Sequence, residues 1–328
     1  MPNRLIVYNP YNIKIPHEEL DFFKDERTVI MTSEIEEEGK YYVVIGSCDP
    51  LTRNVVVSGS VTAVNSYGHL PARLYGLYPF LRWILGIYII LLVVWIVRCC
   101  IYRRELMSVH LMIFLVLFLS VIDLILRQLN LSHFNTSGEY SYSLTLVSLF
   151  ASALNSTVSL CLTIAIAKGF FFPFALISRL GVSRATLDGE LWKILTLGII
   201  SFAFTLWDGI TSTFYQSTDL NLWQLIPSII VNVTIYSWIL SSLLNTIEEL
   251  ENRKQTGKLR VFIQLRNVIV IAVVLSTLYN IAFTYLIMKE IISSWWKYQW
   301  FFNDGVWSVF YLGITICIMV LLQELCNE

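Results

Sequence analysis

Trp83-Ile84-Leu85-Gly86-Ile87-Tyr88-Ile89-Ile90-Leu91-Leu92-Val93-Val94-Trp95-Ile96-Val97 runs without a charge and is closed by Arg98. With Leu77-Tyr78-Pro79-Phe80-Leu81 and the single charge of Arg82 before it, this stretch reaches the roughly 20 residues that a helix needs to cross a bilayer core. Six comparable stretches follow. The pattern predicts spans at 77–101, 107–126, 143–167, 191–208, 225–248, 264–288 and 303–323, with Asp208 closing the fourth early. The whole chain agrees: 56% of residues are hydrophobic, only 14% are charged, and the mean hydropathy is +0.64. Lipid is the solvent, and inside it each segment must satisfy its own backbone hydrogen bonds. The expected fold is an all-α integral membrane bundle of seven helices over 75–328, preceded by a small β-rich domain over 1–74.

Working outward, positive charge orients the bundle. Arg98, Arg103 and Arg104 follow the first span. Lys168, Arg179, Arg184 and Lys193 follow the third, and Arg253, Lys254, Lys258, Arg260 and Arg266 follow the fifth. The alternate connections are nearly bare. This places the N-terminus in the lumen and the C-terminus in the cytosol. The sequons at Asn130 and Asn135 fall in the connection after the second span, on the lumenal side, and are the glycosylation candidates. Asn155 and Asn232 also fit the sequon pattern but lie within spans, where the transferase cannot reach.

The first 74 residues show strand-like runs at 4–8, 28–32, 40–46 and 53–62. The last two flank the turn-like Ser47-Cys48-Asp49-Pro50-Leu51-Thr52 and read as a hairpin. Met1 to Tyr8 has no apolar h-region and reads as no signal peptide. Only Cys48 among the six cysteines precedes the spans, so no disulfide framework is legible. Cys99 and Cys100, beside Arg98, fit either palmitoylation or two interfacial thiols without a role.

Polar residues inside the spans are the candidate site. Asp123 is predicted near the end of the second span. An acid at a helix centre costs about 2.5–3.5 kcal/mol on insertion scales. Arg127, four residues on, offers either an interfacial ion pair or, if the acid faces a water-filled cavity, a polar lining. The fifth span carries Asn232, Tyr236, Ser237, Ser241 and Asn245, with the last three at four-residue spacing on one face. The sixth repeats the pattern with Ser276, Asn280 and Thr284. The two stripes fit a shared cavity or hydrogen bonds between helices. Asn155, with Ser152, Ser156, Thr157 and Ser159, adds polarity to the third span.

Several function classes are excluded by what the sequence lacks. The net charge of −1 argues against nucleic acid. His17, His69, His110 and His133 stand at no metal-ligand spacing, and no hydrolase, nucleotide-loop or zincin motif is present. No enzyme, cofactor or metal is expected. A rhodopsin-type receptor has the right helix count, but no Asp-Arg-Tyr follows the third span and no Asn-Pro-x-x-Tyr lies in the seventh.

Specific motifs narrow the reading. Asn65-Ser66-Tyr67-Gly68-His69-Leu70-Pro71 resembles the linker before the first helix of the lung seven-transmembrane receptor family, also called GOST. Tyr41-Tyr42-Val43-Val44-Ile45-Gly46-Ser47-Cys48 is similar to the end of that family's lumenal GOLD-type sandwich. Trp238-Ile239-Leu240-Ser241-Ser242-Leu243, with Thr246, Ile247, Leu250, Lys258 and Leu259, resembles its fifth helix and following loop. Trp300-Phe301-Phe302-Asn303-Asp304-Gly305-Val306-Trp307, with Tyr311, resembles its approach to the seventh helix. Departures stand at Ala167-Lys168-Gly169-Phe170, where the family commonly has Gly-Tyr-Gly, and at Leu321-Leu322-Gln323-Glu324, where it usually has Trp-Arg-Pro. The 1–74 segment is also shorter than the family's lumenal domain, so the resemblance implies a partial, truncated GOLD-like sandwich there, either because the sequence starts late or because the lineage has trimmed the domain.

The resemblance implies a Golgi or endosomal membrane protein acting in trafficking, with the helix arrangement of the Wnt carrier Wntless. A bundle cavity open to lipid would hold a lipid or a lipid-bearing cargo protein. The loop with Arg253, Lys254 and Lys258 would meet cytosolic sorting machinery. The alternatives are an orphan receptor signalling to a cytosolic partner and a cation channel.

Overall fold

The computed structural model describes residues 3–8, 19–20, 42–45, 61–101, 108–168, 184–214, 222–252, 254, 256–289 and 295–327. Its contacts divide the chain into two compact units, Met1–Val61 and Thr62–Glu328. Residues 62–74 therefore fall with the helices and not with the segment before them.

In the first unit, β1 (Asn3–Tyr8), β2 (Glu19–Leu20) and β3 (Tyr42–Ile45) form an antiparallel sheet in the order β2-β1-β3. The register pairs Leu5 with Ile45 and Tyr8 with Tyr42. The described partner of β3 is β1, and the hairpin expected with the 53–62 run falls on residues that are mostly outside the described ones. Residues 28–32 and 53–60 lie outside the described residues, and 61–64 have no regular structure.

The second unit holds seven long helices among the described residues: α1 (Leu77–Ile101), α2 (Ser108–Ser137), α3 (Tyr142–Ala167), α4 (Arg184–Phe214), α5 (Leu222–Asn252), α6 (Thr256–Met288) and α7 (Val306–Asn327). Six described segments are long and apolar enough to cross a membrane: Ala72–Ile101, His110–Ser137, Tyr142–Ala167, Trp192–Phe214, Leu259–Leu286 and Phe301–Leu321. The remaining long helix, α5, has 31 residues and contains the apolar stretch 225–248.

Local chemistry sets the ends. Pro79 is tolerated within the first turn of α1, where the backbone N–H would have no intrahelical acceptor. Gly138, at φ +75, ends α2 by donating its N–H to the Phe134 carbonyl, a left-handed cap that costs glycine little. Before Gly138 nothing stops the helix, so α2 runs past the predicted end at 126. The connection predicted after it is mostly helix, and Asn130 and Asn135 lie on α2. Likewise Asp208 does not end α4, which continues to Phe214. A π-helical segment, Phe301–Gly305, leads into α7.

α1 packs on α2, α2 on α3, and α3 on both α4 and α5; α5 packs on α6, and α6 on α7. Of the six spans α3 is the most buried, 39% against 17% for α1 and for α6, which makes it the central helix. The core combines Leu81, Tyr88 and Trp95 of α1, Ile113 and Leu117 of α2, Leu162 and Ile166 of α3, Ile239 and Leu243 of α5, and Phe262 and Leu265 of α6. The outer faces are apolar as well, with Trp83, Ile90, Leu111 and Ile281 exposed. Water would penalise that surface, whereas lipid does not.

Candidate functional site

Three helices bring their polar residues together by simple periodicity. Ser120, Asp123 and Arg127 recur on one face of α2, Ser152, Asn155 and Ser159 on one face of α3, and Tyr311 and Thr315 on one face of α7. The Arg127 Nε donates to Asp123 Oδ1 at 3.1 Å, and its Nη2 donates to Ser152 Oγ at 2.7 Å. Ser120 Oγ lies 3.1 Å from Asn155 Oδ1 and 2.9 Å from the Val116 carbonyl, so one hydroxyl proton serves two acceptors. Ser159 Oγ donates to the Asn155 carbonyl and also meets the Tyr311 hydroxyl. The result is a continuous polar seam from Arg127 to Thr315, whose hydroxyl returns to the Tyr311 carbonyl.

Asp123 is 7% exposed. The ion pair expected with Arg127 is present, and α2 continues beyond Asp123 to Ser137, with the acid packed inside the bundle. Asp304, in the π-helical segment, also lies within the electrostatic reach of Arg127. The ion pair of Arg127 among the described residues is with Asp123. Of the seam, Ser120 and Thr315 have no part in the sequence expectations above, although Ser120's spacing of three and seven residues from Asp123 and Arg127 marks the same helix face. Tyr311 and Asp304 enter those expectations only through a family motif, because they are remote in sequence from the residues they join.

The predicted stripes have a different fate. On α5, Ile235, Ile239 and Leu243 form the buried face; Tyr236, at 46% exposure, and Ser237, Ser241 and Asn245 lie on the exposed one. The Asn232 side chain lies outside the described residues. On α6, Ser276 is half-buried and its hydroxyl donates to the Val273 carbonyl. Asn280 and Thr284 are exposed, and the Thr284 hydroxyl donates to the Asn280 carbonyl. Among the described residues no hydrogen bond joins the two stripes. The hydroxyls close on their own helix because that acceptor is always within reach in lipid.

Asn130 accepts a hydrogen bond from Thr145 Oγ1 at 3.2 Å, and Asn135 is engaged with residues 67–70. At the opposite end of the bundle, Thr246 of α5 donates to the Ala167 carbonyl at 2.8 Å. Lys168 holds its Nζ 4.7 Å from the centre of the Trp238 ring. Burial, and secondarily the charge of Lys193, hold the Lys168 amine below the usual lysine range. Lys254 is exposed at φ +56 in the α5–α6 turn. Arg253 and the Lys258 side chain lie outside the described residues. Among the described residues no group of His, Cys, Asp or Glu could hold a metal ion.

The family described as "GOST, seven transmembrane domain" matches residues 76–324, which include every member of the polar seam. Human transmembrane protein 87A is 23% identical over 269 residues, covering 82% of this chain and 46% of the relative. Mouse transmembrane protein 87B is 23% identical over 272 residues, covering 82% of this chain and 47% of the relative. Transmembrane protein 87A of Xenopus tropicalis is 21% identical over 273 residues, covering 83% and 48%. The chain thus spans about half the length of these curated relatives.

Proposed function

The chain belongs to the GOST seven-transmembrane family, and from that premise we propose that it is a non-enzymatic trafficking protein of Golgi and endosomal membranes that escorts or sorts membrane-borne cargo. The observation that carries this reading is the polar row of α5. Tyr236, Ser237 and Ser241 are exposed on α5, which lies within the matched seven-transmembrane domain, away from its packed face. Polar residues in spans ordinarily face a bundle interior or a hydrated cavity. An exposed row suits a partner that brings polar groups to it, such as a lipid glycerol region or a spanning segment of a cargo protein. The charge asymmetry supports a lumenal N-terminus, and a cytosolic α5–α6 turn at Lys254 would face sorting machinery. The test compares surface and secreted proteomes of cells with and without the gene. Selective misrouting of a small protein set is expected; an unchanged proteome would contradict the reading.

A cation channel is the second reading, favoured by the two acids around Arg127. It requires that Asp123→Asn or Asp304→Asn change ion flux through reconstituted liposomes. Equal flux in wild type, both variants and empty liposomes would remove it.

A further inference from the structure

The linker 65–70 does not simply enter α1; it is fastened to the end of α2. Asn65 and Gly68 form a tight bridge, each N–H donating to the other's carbonyl at 2.8 and 3.1 Å. Asn65 Nδ2 donates to the Leu70 carbonyl at 2.9 Å. This knot sits on Asn135, which holds it at three points. Asn135 Nδ2 donates to the Tyr67 carbonyl at 2.9 Å, its Oδ1 accepts from the Leu70 N–H at 3.0 Å, and its backbone carbonyl accepts from the His69 N–H at 3.0 Å. The last contact has a general cause. Asn135 lies in the final turn of α2, where backbone carbonyls lack intrahelical donors, so the linker caps the helix.

The remaining residues of the motif fit the same purpose. Gly68 adopts φ +126, and a Cβ there would stand 2.4 Å from Asn135 Oδ1 and 2.6 Å from the Asn135 carbonyl oxygen. Only glycine permits both the conformation and the approach. A Cβ on Gly138 would stand 2.9 Å from His69 Nδ1, so the cap glycine of α2 also makes room for the linker. The Tyr67 ring packs on Tyr75 with centroids 4.0 Å apart, and Leu70 is 1% exposed.

We propose that Asn135 is the clasp residue that positions the pre-α1 linker on the end of α2, and that it carries no glycan despite its sequon. A glycan would replace one hydrogen of the same Nδ2 atom that lies under the Tyr67 carbonyl. The clasp also fixes the linker to the helix bearing Asp123 and Arg127, which explains why 62–74 clusters with the bundle.

The test uses the full chain in detergent, expressed in a glycosylating host. Peptide mapping after peptide-N-glycosidase F in ¹⁸O water reads occupancy: no label at Asn135 is expected, and substantial label there overturns the proposal. Hydrogen exchange reads the clasp. Asn135→Ala removes two hydrogen bonds and should speed exchange at Leu70 and its neighbours by at least about tenfold, with 113–124 unchanged. Ser137→Ala, which abolishes the sequon but leaves the clasp, should leave the 65–70 amides slow. Unchanged exchange in Asn135→Ala overturns the proposal, as does equal loss of protection in Ser137→Ala. If Asn135→Ala does not yield folded protein, Gly68→Ala, aimed at the same contact, must show the faster exchange, and unchanged exchange in that variant overturns the proposal.

Discussion

The two sides of the bundle treat polar residues in opposite ways. Where α2, α3 and α7 meet, Ser120 bonds Asn155, Arg127 bonds Ser152 and Ser159 meets Tyr311 across helices, while Arg127 also pairs with Asp123 on α2 itself. On α5 and α6, Ser241, Asn280 and Thr284 are left on exposed faces, and burial along α6 stops at Ile269. The same residue types therefore serve two ends. In the first region they specify how three helices sit together; in the second they add little to packing and are available to something else. A polar residue in a span is informative only once its face is known.

This contrast is sharpened by substitutions of decreasing cost. Arg127→Leu leaves Asp123 buried without its counter-charge. Breaking a buried pair costs about 3–5 kcal/mol, and the partial exposure of Arg127 puts this case near 3 kcal/mol. Thermal unfolding in detergent should show a large loss, which Arg127→Leu combined with Asp123→Leu partly restores. Gly76→Ala comes next. Its Cβ would lie 2.2 Å from the Trp300 indole nitrogen, and overpacking of this kind costs about 1–3 kcal/mol. Trp300→Leu in the same chain should recover part of it. Thr246→Val removes the bond to the Ala167 carbonyl, and membrane hydrogen bonds average about 0.6 kcal/mol. Smallest of all, Ser241→Val should change stability by less than about 0.5 kcal/mol, yet shift the set of misrouted proteins in the proteome comparison. A Ser241→Val variant as unstable as Arg127→Leu would erase the distinction between the two sides.

The spans were legible because hydrocarbon demands long uncharged runs, and 83–97 admits no other reading. The predicted spans map one to one onto the long helices, but several helices run further: α4 and α6 begin at Arg184 and Thr256, ahead of the predicted 191 and 264, and α4 continues past Asp208. α2 passes the predicted end at 126 and stops at Gly138, where a left-handed cap ends it. The pairing of Asp123 with Arg127 was legible from four-residue spacing. Its burial was not, since that depends on where α2 ends. Tyr311 could not be joined to Ser159 from sequence, because they lie on different helices and no periodicity links them. The sequon at Asn135 was read as a modification signal because a three-residue pattern carries no information about the linker that covers it.

The most direct test of the two-sided account is photolabelling from the lipid phase in native membranes. A diazirine that partitions into the bilayer is activated by light, and insertion is read residue by residue by peptide mapping. The account predicts labelling at Ser241, which is exposed, and little at Asn155, which is buried. Equal labelling at both, or more at Asn155, would contradict it.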